Sequence, residues 1–187
     1  MVFIHDTRLA LEAGVALANT HPDTDRDGFD RLADLADLDS YLAAYPYTGN
    51  IRRDSAELDE LRAIRPRLLA LWETDRDGAV PLVNAMLRDG RALPQLAIHD
   101  DYDWHIHATS DDAPLATRIL VEVAMAFVDV IRADEYGRVR VCDADDCSGV
   151  YIDYSRNGSK RYCDSGNCGN RMNVNAYRRR RGLQETA

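Results

Sequence analysis

Apolar residues recur at helical spacing through most of the first 130 positions. Leu9, Ala13, Ala16 and Leu17 share one side of a stretch over 6–19, and Asp6 or Thr7 stands where a cap belongs. His21-Pro22-Asp23 breaks that pattern, and a polar loop runs on to Gly28. A second helix is predicted over 32–44, on a stripe of Leu35, Leu38 and Leu42, ending before Tyr45-Pro46. A third begins at Asp54 or Ser55 and turns Leu58, Leu61, Leu68, Leu69 and Trp72 inward; Pro66 inside it should kink or interrupt it. After a turn at 75–78, a short helix runs over 81–87 with Pro81 in its first turn.

The period then changes. Two short strands are predicted at 95–99 and 104–107, joined by an acidic link. The longest helical run follows at 113–133, with Pro114 in its first turn. It is apolar at Ile119, Leu120, Val123, Phe127, Val130 and Ile131, broadly enough to be the central core helix. A strand at 138–142 and a hairpin partner at 150–153 come next. The chain thus divides near Tyr136-Gly137 into a body, 1–137, and a small module, 138–187, joined too tightly to swing freely.

Composition narrows the class. At 187 residues the chain can hold one core of good size plus a satellite module. No twenty-residue apolar run and no N-terminal signal is visible, so a cytoplasmic protein without membrane contact is expected. Lys160 is the only lysine among 23 basic residues, a bias that suggests a GC-rich bacterial genome. The net charge of −9 disfavours nucleic-acid binding by the chain as a whole, but the charge is unevenly placed. From Arg140 onward nine basic residues face six acidic ones, a net of +3; the preceding 139 residues carry 14 against 26, a net of −12. A basic end on an acidic body is a pattern of nucleic-acid binders.

That basic end holds all four cysteines, as Cys142-x4-Cys147 and Cys163-x4-Cys168, inside 27 residues. Turn formers fill each pair: Asp143, Asp145 and Asp146 in the first, Asp164, Ser165 and Gly166 in the second. Knuckles of this kind turn two sulfurs to one point, and Zn2+ accepts four thiolates tetrahedrally in closed structural sites. One structural zinc is the preferred reading. Two disulfides, an iron–sulfur cluster and a catalytic zinc with an open position are the alternatives.

Several stretches resemble the bacterial CGNR zinc-finger family, named for its last ligand and the three residues after it. They are Cys142-x4-Cys147, Tyr151-Ile152-Asp153-Tyr154-Ser155, Lys160-Arg161-Tyr162-Cys163 and Cys168-Gly169-Asn170-Arg171. Tyr177-Arg178-Arg179-Arg180 is similar to the family's usual continuation. Upstream, Leu17-Ala18-Asn19-Thr20 resembles the NT signature of the ABATE-type domain that commonly precedes this finger. The resemblance implies a transcriptional regulator, often described as stress-induced.

The residues themselves predict a hairpin knuckle plus a helix starting around Asn170, a treble-clef-like arrangement. The fold class is therefore α+β: a mainly helical N-terminal body with a small antiparallel sheet, plus a C-terminal treble-clef-like four-cysteine zinc module ending in a basic helix. On that helix Arg171, Asn175 and Arg178 fall within about 60° of each other. Arg179, Arg180 and Arg181 accompany them, while Met172, Ala176 and Tyr177 should dock on the body or hairpin. This face suits phosphates and a base edge, so DNA is the expected partner. Arg171 lies close enough to the metal to serve a thiolate or Asp153 instead. Arg156, Lys160 and Arg161 form a second basic cluster, with Tyr151, Tyr154 and Tyr162 expected to pack beneath the knuckle and Asp153 to fix the loop.

No Ser/His/Asp or phosphate-loop signature is legible, so no enzyme is expected. His99, His105 and His107, near Asp100, Asp101 and Asp103, are a remote option for a second metal or a catalytic role. The body is expected to sense a signal or to dimerise, and a small-molecule pocket could draw on Trp72, Trp104 and Tyr102, although core packing suits them better. The alternative function is a zinc-stabilised module that docks an acidic protein or RNA without DNA sequence specificity.

Overall fold

The computed structural model describes residues 3–99 and 102–184. Five helices build the body: α1 (His5–Ala18), α2 (Leu35–Ala44), α3 (Ser55–Leu69), α4 (Arg76–Asp89) and α5 (Leu115–Arg132). Between α4 and α5 an antiparallel ribbon pairs β1 (Gln95–His99) with β2 (Tyr102–His107). The hairpin of β3 (Val139–Val141) and β4 (Val150–Ile152) and the terminal helix α6 (Cys168–Gln184) complete the chain. The α+β class and the helical body with its cysteine module are as expected.

Helix α5 is the axis of the body, and α1, α3 and α4 all pack on it. Its Leu115, Ile119, Val123 and Phe127 are fully buried. Phe127 meets Trp72 edge-on at 5.5 Å and Tyr136 at 6.2 Å. Gly14 lets α1 approach closely: a Cβ there would lie 2.7 Å from Cγ2 of Val123.

The boundaries differ from the expectation where side chains outside the apolar stripe decide them. Neither Asp6 nor Thr7 caps α1; the Thr7 hydroxyl instead donates to Asp129 at 2.5 Å, tying α1 to α5. Leu11, not Leu9, is buried. Helix α2 begins at Leu35, not Leu32, because Asp34 and Asp37 form a reciprocal capping box. Leu32 is buried ahead of that helix and Leu35 faces solvent. Asp54 caps α3, accepting from Glu57 N at 2.8 Å. That helix runs through Pro66 uninterrupted. The missing N–H leaves the Arg62 carbonyl open, and Arg65 Nε reaches back to it at 3.4 Å. Helix α4 starts at Arg76 because Asp75 accepts from Gly78 N at 2.8 Å, which places Pro81 well inside it.

The module is fastened to the body along β4. Backbone bonds Cys142 N→Gly149 O and Asp153 N→Arg138 O, both 2.8 Å, set the hairpin's alternation. In that alternation Val150 turns its N–H and C=O away from β3. Asn19, just past the end of α1, takes both: its Nδ2 donates to Val150 O and its Oδ1 accepts from Val150 N, each at 2.8 Å. Trp72 Nε1 donates to Tyr151 O at 3.1 Å. Val150 and Ile152 bury their side chains in the body's core. Among the described residues, no helix is long and apolar enough to cross a membrane.

Candidate metal centre and nucleic-acid interface

The four sulfurs arrive from three places. Cys142 and Cys147 bracket the tip of the β3–β4 hairpin, Cys163 lies on the following loop, and Cys168 is the first residue of α6. All four Sγ atoms lie within 4.8 Å of one another. Cys147 Sγ is 3.6 Å from Cys163 Sγ, which is 3.7 Å from Cys168 Sγ. A tetrahedron with metal–sulfur bonds of about 2.3 Å has edges of about 3.8 Å, so the set fits one Zn2+. A disulfide would need about 2.05 Å, and no cysteine is bonded to another. A cluster of several irons would spread its thiolates further apart.

The surroundings are those of a thiolate site. Backbone N–H groups of Gly149 and Cys163 each point at a sulfur at 3.4 Å, and Ser165 Oγ donates to Cys163 Sγ at 3.3 Å. A Cβ on Gly149 would lie 3.1 Å from Cys163 Sγ and 3.3 Å from Cys147 Sγ, so only a hydrogen fits there without crowding the metal ligands. Burial pushes the Cys147 and Cys168 thiols up. Burial also raises Cys163, but hydrogen bonds from Ser165 and the neighbouring sulfurs outweigh it and leave that thiol lowered. Four thiolates within 4.8 Å of one another need a cation at their centre, and Zn2+ there holds the finger's chain together. The N-terminus of α6 aids Cys168 through its dipole.

The predicted basic residues separate into two groups. The three aspartates between the first ligands each face an arginine: Asp143 pairs Arg161 at 2.9 Å, Asp146 pairs Arg171 at 2.7 Å, and Asp145 stands 4.0 Å from Arg179. Arg171 also donates to Gly166 O at 2.8 Å and to Cys168 Sγ at 3.4 Å, so the structure places it at the metal, and not on Asp153. Lys160 pairs Asp164 at 2.6 Å. Among the described residues Arg156, Arg178 and Arg180 are exposed and unpaired, and Arg181 lies 5.4 Å from the centre of the Tyr177 ring. Asn175 is half-buried.

Helix α6 begins two residues earlier than expected, and only Met172 of its apolar residues docks on the finger. Ala176 and Tyr177 are exposed, since among the described residues no other element packs extensively on α6. Tyr151 is buried under the knuckle with its hydroxyl on Lys160 O at 2.7 Å. Tyr162 packs beside it, while Tyr154 turns to the body and meets Phe3 edge-on at 6.4 Å. Asp153 fixes the loop: fully buried, it accepts from Ser155 N and Lys160 N, each at 2.8 Å.

A cleft of about 1060 Å³ separates body from finger, with Arg8, Glu12, Asn19, Tyr45, Tyr154 and Arg171 on its walls. Trp72 is not among its walls, being in the core, and Trp104 sits on the exposed ribbon. His105 and His107 lie with their Nε2 atoms 2.9 Å apart. The side chains of His99, Tyr102 and Asp103, and all of Asp100 and Asp101, lie outside the described residues. Among those described, the four cysteines are the one group of three or more metal-binding side chains.

The clamp by Asn19 was not readable from periodicity, which marks only a helix end there; the one signal at this position was its likeness to the NT signature, which says nothing of Val150. Nor did the aspartates of the first knuckle show themselves as arginine partners, having the look of ordinary turn residues.

Two family models match the chain: ABATE, described as "Putative stress-induced transcription regulator", over residues 11–134, and the CGNR zinc finger over 138–181. No curated protein matches it.

Proposed function

This chain belongs to the ABATE family and ends in a CGNR zinc finger, and from that premise we propose that it is a DNA-binding regulator of transcription and not an enzyme. One observation carries the reading: α6 leaves the metal centre as a free helix whose outer part bears Arg178, Arg180 and Arg181 with no acidic partner among the described residues. A helix polar on nearly all sides gains little from packing and is suited to a polar partner. Its 17 residues span about 25 Å, and a helix fits a major groove about 12 Å wide. The zinc anchors the helix at Cys168, the three free arginines meet phosphates, and Asn175 faces a base edge. Arg156 adds a phosphate contact from the loop. Arg171, Arg161 and Arg179 hold the knuckle together, which makes their contribution to DNA indirect.

The body's part is to bias the finger, through a bound signal or a second copy. The route is short: Asn19 and Trp72 grip β4, and β4 leads directly to the ligands.

The test is titration of the zinc-loaded full chain into random duplex DNA over a salt series, alongside an Arg178→Ala, Arg180→Ala, Arg181→Ala variant. The expected result is binding that weakens with salt, with a log–log slope smaller by about 3 in the variant. Absence of binding at low salt, with zinc present, would sink the reading and leave docking to an acidic protein or RNA.

A further inference from the structure

We propose that Tyr177 positions Arg181 for a backbone phosphate of the DNA. The inference rests on the DNA-binding reading and gives a task to the one aromatic side chain of α6. Residues four positions apart on a helix stand side by side. The Arg181 guanidinium carbon lies over the Tyr177 ring, 5.4 Å from its centre, within reach of the ring's negative face. Tyr177 is 52 % exposed and joins neither apolar cluster of the described residues, so core packing does not account for it.

The other arginines of α6 are placed differently. Arg171 and Arg179 face Asp146 and Asp145 across the knuckle. Arg178 and Arg180 are exposed and unpaired among the described residues. A carboxylate takes up N–H donors and cancels charge, as Asp146 does at Arg171. An aromatic face holds the cation by electrostatics instead, and leaves the donors and the full charge available to phosphate oxygens. It also removes rotamer freedom before binding, a loss that Arg178 and Arg180 meet only on contact.

Position on the helix makes such a support necessary. Arg181 lies about 20 Å along α6 from Cys168, beyond the reach of the knuckle's aspartates. Among the described residues no other element packs extensively on α6, so the support comes from the helix itself. At an exposed site a contact of this kind changes affinity about two- to fivefold.

The experiment is titration of the zinc-loaded full chain into duplex DNA over a salt series. Four variants accompany it: Tyr177→Ala, Tyr177→Phe, Arg181→Ala, and Tyr177→Ala combined with Arg181→Ala. Circular dichroism reports the helical content of each. Tyr177→Ala should bind about two- to fivefold more weakly with the native salt slope, because no charge is lost. Tyr177→Phe keeps the ring face and should bind as the native chain does. Arg181→Ala should lower the slope by about 1, and adding Tyr177→Ala to it should cost nothing further. Native affinity in Tyr177→Ala, or an equal loss with and without Arg181, would overturn the proposal and leave the DNA reading standing. So would a loss in Tyr177→Phe as large as in Tyr177→Ala, which assigns the contact to the hydroxyl. A loss that follows a fall in helical signal would make the ring a helix stabiliser and overturn it too. A native chain that binds no DNA at low salt would remove both.

Discussion

Replacing Asn19 with Ala should loosen the finger from the body. The Asn19 carboxamide stands where a third strand would lie beside β4, satisfying both backbone groups of buried Val150 at 2.8 Å. Alanine leaves that N–H and that C=O without partners, and an orphaned buried group costs about 1–3 kcal/mol. Asn19 and Val150 both border the cleft between body and finger, so water can partly replace the amide. The expected loss is therefore about 2–3 kcal/mol, less than two full penalties. Urea unfolding of the zinc-loaded protein measures it. Because docking and metal binding stabilise the same hairpin, a chelator competition should show weaker zinc binding in the variant. Asn19→Asp sharpens the argument. At neutral pH it keeps the acceptor but sets a carboxylate against the Val150 carbonyl, and it should be at least as damaging as Ala. Protonation restores a donor, so part of the loss should return as pH falls. A urea midpoint for Asn19→Ala equivalent to less than about 0.5 kcal/mol, with unchanged zinc affinity, would refute the clamp.

Three further outcomes follow from the geometry. Burial pushes Glu122 up to about 7, with Arg118 opposing it, so the folded state holds a proton that the unfolded state releases near 4.5. Stability from this group is thus full below about pH 4.5 and is lost as pH rises through 7; Glu122→Gln should add about 3 kcal/mol at pH 8 and little at pH 4, read from denaturation midpoints. Gly149→Ala puts a Cβ 3.1 Å from Cys163 Sγ, which a metal-bound sulfur cannot avoid by moving; zinc affinity should fall, and an unchanged chelator midpoint would contradict the crowding. Removing the metal with a strong chelator should unfold the finger, whose own cluster beyond the cysteines is only Ala144, Tyr151, Tyr162 and Met172. Structural zinc contributes about 10–16 kcal/mol in such modules, and the helical signal should drop by the share due to α6 while α5 and its partners persist.

Much of this protein is written in short-range pattern. Apolar spacing located the five helices of the body, the second cysteine pair located α6, and the breadth of the apolar face at 115–132 marked α5 as the central helix. The cysteine spacing announced the metal, because a four-residue gap folds back within a few bonds and needs nothing from the rest of the chain. Caps are equally local, yet they were harder to read. Asp34 and Asp75 out-competed the apolar and proline signals that pointed elsewhere, since a capping carboxylate decides which turn closes first.

Tertiary structure decided what lies across long separations. Pro66 is tolerated because Arg65, buried and held to Asp30 at 2.7 Å and 2.8 Å, has a guanidinium placed to cover the freed carbonyl. Arg171 serves the metal because Asp146, 25 positions earlier, is folded next to it. Asn19 meets Val150 over 131 positions. No periodicity or spacing rule reaches that far: such a partner is set by how α1, α5 and β4 pack. The cysteine spacing could state that a metal is bound, but which arginines pair with a carboxylate was decided only by how the knuckle's aspartates fold against them.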